Sequence, residues 1–181
     1  MSIKKLSMDE LNRPDSSSAL VAEKSNISIL LEDIRSMDNV GSFFRSADAF
    51  AIKNIYLTGI TGQPPHRNIE RSALGATESV TWYYSKDSIQ LIKDLKNDGC
   101  VIIAAEQTDK SINMNSWSID SFKDYVIIFG NEVDGVSQEL LEQCDGIIEI
   151  MQSGAKHSLN VSVSGGIVMQ YTHQNWLNKK A

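Results

Sequence analysis

Cysteine and proline are both scarce: the 181 residues include two cysteines and three prolines. Cys100 and Cys144 form no CxxC pair, which excludes a disulfide-stapled domain and a zinc finger. They sit in apolar strand-like or helix-end settings and read as reduced, buried thiols. No apolar run approaches the ~20 residues of a membrane span. The opening Met1-Ser-Ile-Lys-Lys-Leu has no signal-peptide core, so a cytoplasmic protein without a membrane anchor is expected. An excess of positive charge is missing too. The net charge is −6, which argues against nonspecific coating of nucleic acid. Nucleotide fingerprints are absent: no GxGxxG follows a strand, and Gly154-Ala-Lys-His-Ser158 lacks the spacing of a Walker A loop. His66, His157 and His173 show no metal-ligand spacing, and no GxSxG elbow accompanies them. No metal is expected, and an ordinary dehydrogenase, hydrolase or ATPase is disfavoured.

What is present is globular in character. Hydrophobic residues make up 41% and charged residues 22%, and a chain of this length buries ~70% of its unfolded surface in one domain. Residues 1–25 read as a polar extension, with a short helix over Lys5–Asn12 and a linker at Pro14-Asp-Ser-Ser-Ser. Residues 26–181 form the domain. Apolar runs predict strands at Ile27–Glu32, Ile55–Leu57, Val80–Tyr84, Cys100–Ala105, Tyr125–Phe129 and Ile147–Ile150. Helical spacing predicts helices at Asn39–Phe50 (capped by Asp38), Ile69–Leu74, Ser88–Lys96, Val136–Gln143 and Ser158–Leu177. This alternation gives an α/β fold: a mainly parallel sheet with helices on both faces.

Charge is uneven along the chain. Between Arg35 and Arg71 five basic residues face three acidic ones, two positive charges net. Three segments within the domain hold polar residues and glycines where plain packing would not choose them. In Asn39-Val-Gly41-Ser-Phe-Phe-Arg45, glycine lies one turn before Arg45, which leaves the space over the arginine open; a solvated helix arginine reads the same way. Phe129-Gly-Asn-Glu-Val-Asp-Gly135 ends a buried strand, where α/β proteins bind ligands, though a plain turn into a helix fits as well. Ile150 to Gly166 crowds serine, asparagine and glycine into the start of the last helix, with Ser158 in the place of an N-cap. Close packing of small residues is the alternative there.

Together these segments resemble, in order, the three motifs of the SpoU (TrmH-like) branch of the SPOUT RNA methyltransferases. Asn39, Gly41, Arg45 and Ala47-Asp-Ala-Phe match the first; Gly130, Glu132 and Gly135 the second; Gly154 and Ser158-Leu-Asn-Val-Ser-Val163 the third. Arg71-Ser-Ala-Leu-Gly-Ala76 is similar to the family as well, whereas Met151-Gln152 stands where Pro-Met is usual. The resemblance implies a C-terminal trefoil knot and S-adenosylmethionine held by loops around Ala105, Gly130, Glu132, Ile150, Ser158 and Leu159. It also implies methyl transfer to a ribose 2′-hydroxyl of structured tRNA or rRNA by a homodimer. Arg45 takes the catalytic role, as base or phosphate clamp, with Asn39, Ser158 and Asn160 positioning it or the substrate. Glu132 holds the loop or Arg45, and Arg35, Arg45, Arg67 and Arg71, with His66, face RNA. A catalytically silent RNA-binding or ribosome-assembly factor on the same fold is the alternative.

Overall fold

The computed structural model describes residues 3–7, 9–11, 16–21 and 23–178. Parallel strands buried on both faces are continuous apolar runs, and β1 (Ile27–Glu32) and β6 (Tyr125–Phe129) are buried at every position. They lie side by side at the centre, with Ile27 beside Tyr125 and Leu31 beside Phe129. On one flank come β2 (Ile55–Thr58) and β3 (Trp82–Ser85); on the other β4 (Val101–Ala105), β7 (Gly146–Glu149) and β5 (Ile112–Asn113). The order is β3-β2-β1-β6-β4-β7-β5, and every pairing is parallel. The two-residue β5 is a seventh strand beyond the six predicted, because two residues carry no periodicity.

Alternation along the strands divides the core into two layers. Ile27, Ile29 and Leu31 of β1 and Tyr125, Ile127 and Phe129 of β6 point to the larger layer. There they meet α2 (Met37–Ala49), α3 (Arg67–Ala73) and α6 (Val161–Asn178). Leu30, Val126 and Ile128 point to the other layer, against α4 (Ser88–Asn97) and α5 (Gln138–Leu141). Phe43 of α2 is fully buried against Phe129, ring centroids 5.1 Å apart. Burying a side chain of this size stabilises the fold by about 1.5–3 kcal/mol, and it fixes α2 over the end of β6.

Several boundaries differ from those read in the sequence, each for a local reason. The cap of α2 is Ser36, whose hydroxyl accepts from Asn39 N–H (3.3 Å), so Asp38 falls in the first turn instead. Helix α5 stops after four residues, and β3 begins at Trp82 because turns run from Ala73 to Val80. Helix α6 starts at Val161, not Ser158. Of the helix expected over Lys5–Asn12, the described residues form only a 3-10 turn at Asp9–Leu11, where Glu10 accepts from Lys4 Nζ and Ser7 N–H. Asn12 lies outside the described residues. Ser16–Val21, placed in the linker from sequence, is a helical segment, α1, with Ala19 buried. Cys100 and Cys144 are free and half-buried, more open than expected.

Candidate active site

A cleft of about 490 Å³ opens beyond the carboxyl ends of β4, β6 and β7. The loops that follow these strands and the segment leading into α6 form its walls, the general location of ligand sites in open α/β sheets. Ala105, Gly130, Glu132, Ile150, Ser158 and Leu159, assigned to the cofactor from sequence, all line it. Its floor is apolar (Met114, Phe129, Ile148, Val168), and its rim adds the carboxylates Glu106, Asp134 and Glu149. The sequence reading missed these three acids. An acidic residue just past a buried strand looks like any solvated turn residue, and only its neighbours across the sheet show otherwise.

The turn after β6 is fixed from several sides. Asn131 donates from Nδ2 to the Asp33 carbonyl (2.8 Å), and its Oδ1 accepts from Val133 N–H (2.9 Å). Glu132 accepts from the backbone N–H groups of Arg35 and Ser36 (both 3.0 Å) and from Asn39 Nδ2 (2.9 Å). Partial desolvation pushes this exposed carboxyl upward, but the hydrogen bonds prevail and hold it below the ordinary carboxylate range. Glu32, buried at the end of β1, accepts from Ser137 N–H (2.9 Å) and Ser137 Oγ (2.6 Å). Burial raises its carboxyl, partly offset by the two Ser137 bonds. Gly130 serves this turn itself: a Cβ there would collide with the Gly135–Val136 backbone. Its glycine therefore closes the turn, and the same residue lines the cleft.

Asn160 joins this turn to the third motif. Its Nδ2 donates to Asn39 Oδ1 (3.2 Å), while its own Oδ1 accepts from Ser162 N–H (2.9 Å) and Val163 N–H (3.3 Å). Asn160 thus caps α6, the role expected of Ser158. An amide can cap with its oxygen and still donate with its nitrogen, which a serine hydroxyl cannot do in two directions at this reach. The result is an unbroken chain, Glu132–Asn39–Asn160, drawn from all three motifs. Ser158 is exposed on the cleft wall close in sequence to that cap.

Arg45 is not part of this chain. It is exposed, outside the cleft lining, and about 120° around α2 from Asn39. Glu132 therefore holds the loop and not the arginine. The open space expected over Arg45 is filled differently: a Cβ on Gly41 would strike Ser72 Oγ and the Ile69 carbonyl, so that glycine admits α3. Arg35 and Arg67 are exposed as well. Arg71 gives Nη2 to both oxygens of Asp38 (2.7 and 2.9 Å), an exposed pair worth only ~0–1 kcal/mol. His66 caps α3 through Nδ1, which accepts from Asn68 N–H (3.3 Å).

Residues 26–170 match the model of the SpoU rRNA Methylase family. The chain belongs to this family. Among curated relatives, the tRNA (guanosine(18)-2'-O)-methyltransferase of Aquifex aeolicus is 28% identical over 150 residues, 83% of this chain and 70% of the relative. The curated relatives compared are longer; this chain spans 54–70% of their length. The crystal structure of the A. aeolicus TrmH/SpoU tRNA modifying enzyme superposes with a TM-score of 0.81 at 26% identity, over 91% of this chain and 82% of that one. The SpoU methyltransferase AviRb of Streptomyces viridochromogenes, in complex with AdoMet, has the same fold (TM-score 0.78) at 17% identity, over 89% of this chain and 64% of its own. The SPOUT fold expected from the motifs is therefore the fold of this SpoU protein. Among the described residues no helix is long and apolar enough to cross a membrane, and no cluster of His, Cys, Asp and Glu could hold a metal.

Proposed function

We propose that this SpoU-family chain is an S-adenosylmethionine-dependent RNA methyltransferase that modifies a ribose 2′-hydroxyl of tRNA or rRNA. The observation that carries the reading is the Glu132–Asn39–Asn160 chain at the mouth of the cleft, which ties the three motif segments together. The cleft suits the cofactor on its own terms. Its volume is that of a small-molecule site, its apolar floor can take adenine, and its rim carboxylates favour a cationic ligand. Bound there, S-adenosylmethionine would supply the electrophilic methyl group. The chain's own residues would do the rest. Ser158 and Asn160 would orient the ribose, and the pinned Glu132–Asn39 pair would keep their segment from shifting. Arg45 would grip RNA phosphate with its planar guanidinium fork and stabilise the alkoxide that forms as the hydroxyl loses its proton. Its place on an exposed flank suits a group that meets a macromolecule. Arg35, Arg67 and Arg71 would extend that contact.

Two structural readings go with the function. The trefoil knot is one, supported by the fold shared with the A. aeolicus enzyme. A homodimer through α6 is the other: Leu159, Val163 and Ile167 are 38, 50 and 37% exposed at four-residue spacing. Tyr171, fourth in that stripe, turns inward and donates its hydroxyl to the Trp117 carbonyl (2.5 Å). Light scattering at micromolar concentration should give twice the 20.1 kDa chain mass; a monomer would refute this reading. The function is tested by mass-spectrometric mapping of 2′-O-methylated nucleosides in RNA from cells with and without the gene. Loss of one such nucleoside is expected, and an unchanged map would favour the silent factor.

A further inference from the structure

Glu106 stands directly after β4, and both of its carboxylate oxygens are engaged. Oε2 accepts from Val136 N–H (3.0 Å), the far end of the turn after β6, and Oε1 accepts from Gln107 N–H (2.9 Å). Gly135 lies over the same carboxylate: its φ is +71°, and a Cβ there would collide with Glu106 Oε2. Glycine at 135 and the acid at 106 therefore form one fitted contact. The turn from Gly130 to Val136 is thus pinned by carboxylates at opposite sides. Glu132 ties it to the start of α2, where Asn39 sits, and Glu106 ties it to β4, on the cofactor wall.

We infer that Glu106 is a positioning residue that sets cofactor affinity by latching the Gly130–Val136 turn against β4, separately from the Glu132 side that serves the reacting ribose. This rests on the cofactor reading above. Val136 is buried, and its N–H has the Glu106 carboxylate as its partner. Glu106→Gln keeps the size but offers only one acceptor oxygen for two N–H donors. One of them must then face an amide NH2 or go unpaired, a loss that corresponds to about tenfold or more in binding.

The test is calorimetric titration of the full chain with S-adenosylhomocysteine, together with steady-state methyl transfer and amide hydrogen exchange. Wild type should bind. Glu106→Gln should bind about tenfold or more weakly, and its cofactor KM should rise far more than kcat falls. Glu132→Gln should show the reverse split. Faster exchange in Glu106→Gln should be confined to Gly135 and Val136, with the melting temperature held within a few degrees. Should Glu106→Gln unfold, Glu106→Ala read by exchange alone in the same turn replaces it. Failure of wild type to bind would defeat the cofactor reading itself. Binding by wild type and Glu106→Gln with equal affinity would overturn the latch alone, as would equal losses in kcat and KM.

Discussion

The wall of the cleft and the basic flank of α2 and α3 are built on opposite plans. In and beside the cleft, Glu32, Glu106, Asn131, Glu132, Asn39 and Asn160 all hold backbone or one another. By contrast, Arg35 just before α2, Arg45 and Arg67 are exposed, and Arg71 pairs with the exposed Asp38. A site formed in advance loses little freedom when a small ligand enters, which favours affinity from few contacts. Free arginines suit a ligand that brings its own charge and shape, as RNA does, and their contribution weakens with salt. The contrast explains how a chain with a net charge of −6 is compatible with RNA as substrate. The positive charge is local, while Glu32, Glu106 and Glu132 are consumed in the scaffold.

The sharpest way to break this contrast is Arg45→Ala. Removal of a group that stabilises developing charge in the transition state costs ~3–4 kcal/mol of barrier, a fall of a hundredfold or more in turnover. Cofactor affinity should stay unchanged, since Arg45 does not line the cleft. Arg45→Lys retains charge without the planar fork, so a phosphate clamp should be poorly rescued and a base partly rescued at high pH. Wild-type turnover in Arg45→Ala would return this residue to an ordinary solvated position on α2.

A smaller effect sharpens the other side. The hydrogen bonds of Glu132 outweigh its partial desolvation and depress its carboxyl in the folded protein below the ordinary carboxylate value. A depressed carboxyl contributes stability that is fully present above its unfolded pKa and is lost as pH falls through the folded value. Wild type should therefore lose more melting temperature below about pH 4.5 than Glu132→Gln does, with no such difference near neutrality. The difference should be modest, because Glu132 remains exposed. Parallel pH profiles of the two proteins would show that these bonds do not persist in solution.

Much of the fold was legible because buried parallel strands announce themselves. Ile27–Glu32 and Tyr125–Phe129 were bounded from sequence to the residue, since apolar runs are what such strands require. The ends of elements were less so. Ser36 and Asn160 win the capping positions over Asp38 and Ser158 through hydrogen bonds that depend on the path of neighbouring loops. In the candidate site, the six residues assigned to the cofactor came through the family resemblance, and all six line one cleft. Gly41 was misread because helical periodicity tells which way a position faces and not what will face it; α3 fills that space. Glu106 was missed for the same reason, as its partner Val136 lies 30 residues away in the chain.

Transfer of a methyl group to a ribose 2′-oxygen leaves a chemical signature in the product. Purified protein would be incubated with methyl-labelled S-adenosylmethionine and unmodified tRNA and rRNA, and the labelled RNA then hydrolysed in alkali. A methylated 2′-oxygen cannot attack its neighbouring phosphate, so the bond beside it survives. The account predicts label in alkali-resistant dinucleotides, dependent on Arg45. Label recovered only in mononucleotides, as base methylation would give, or no label in either RNA, would contradict it.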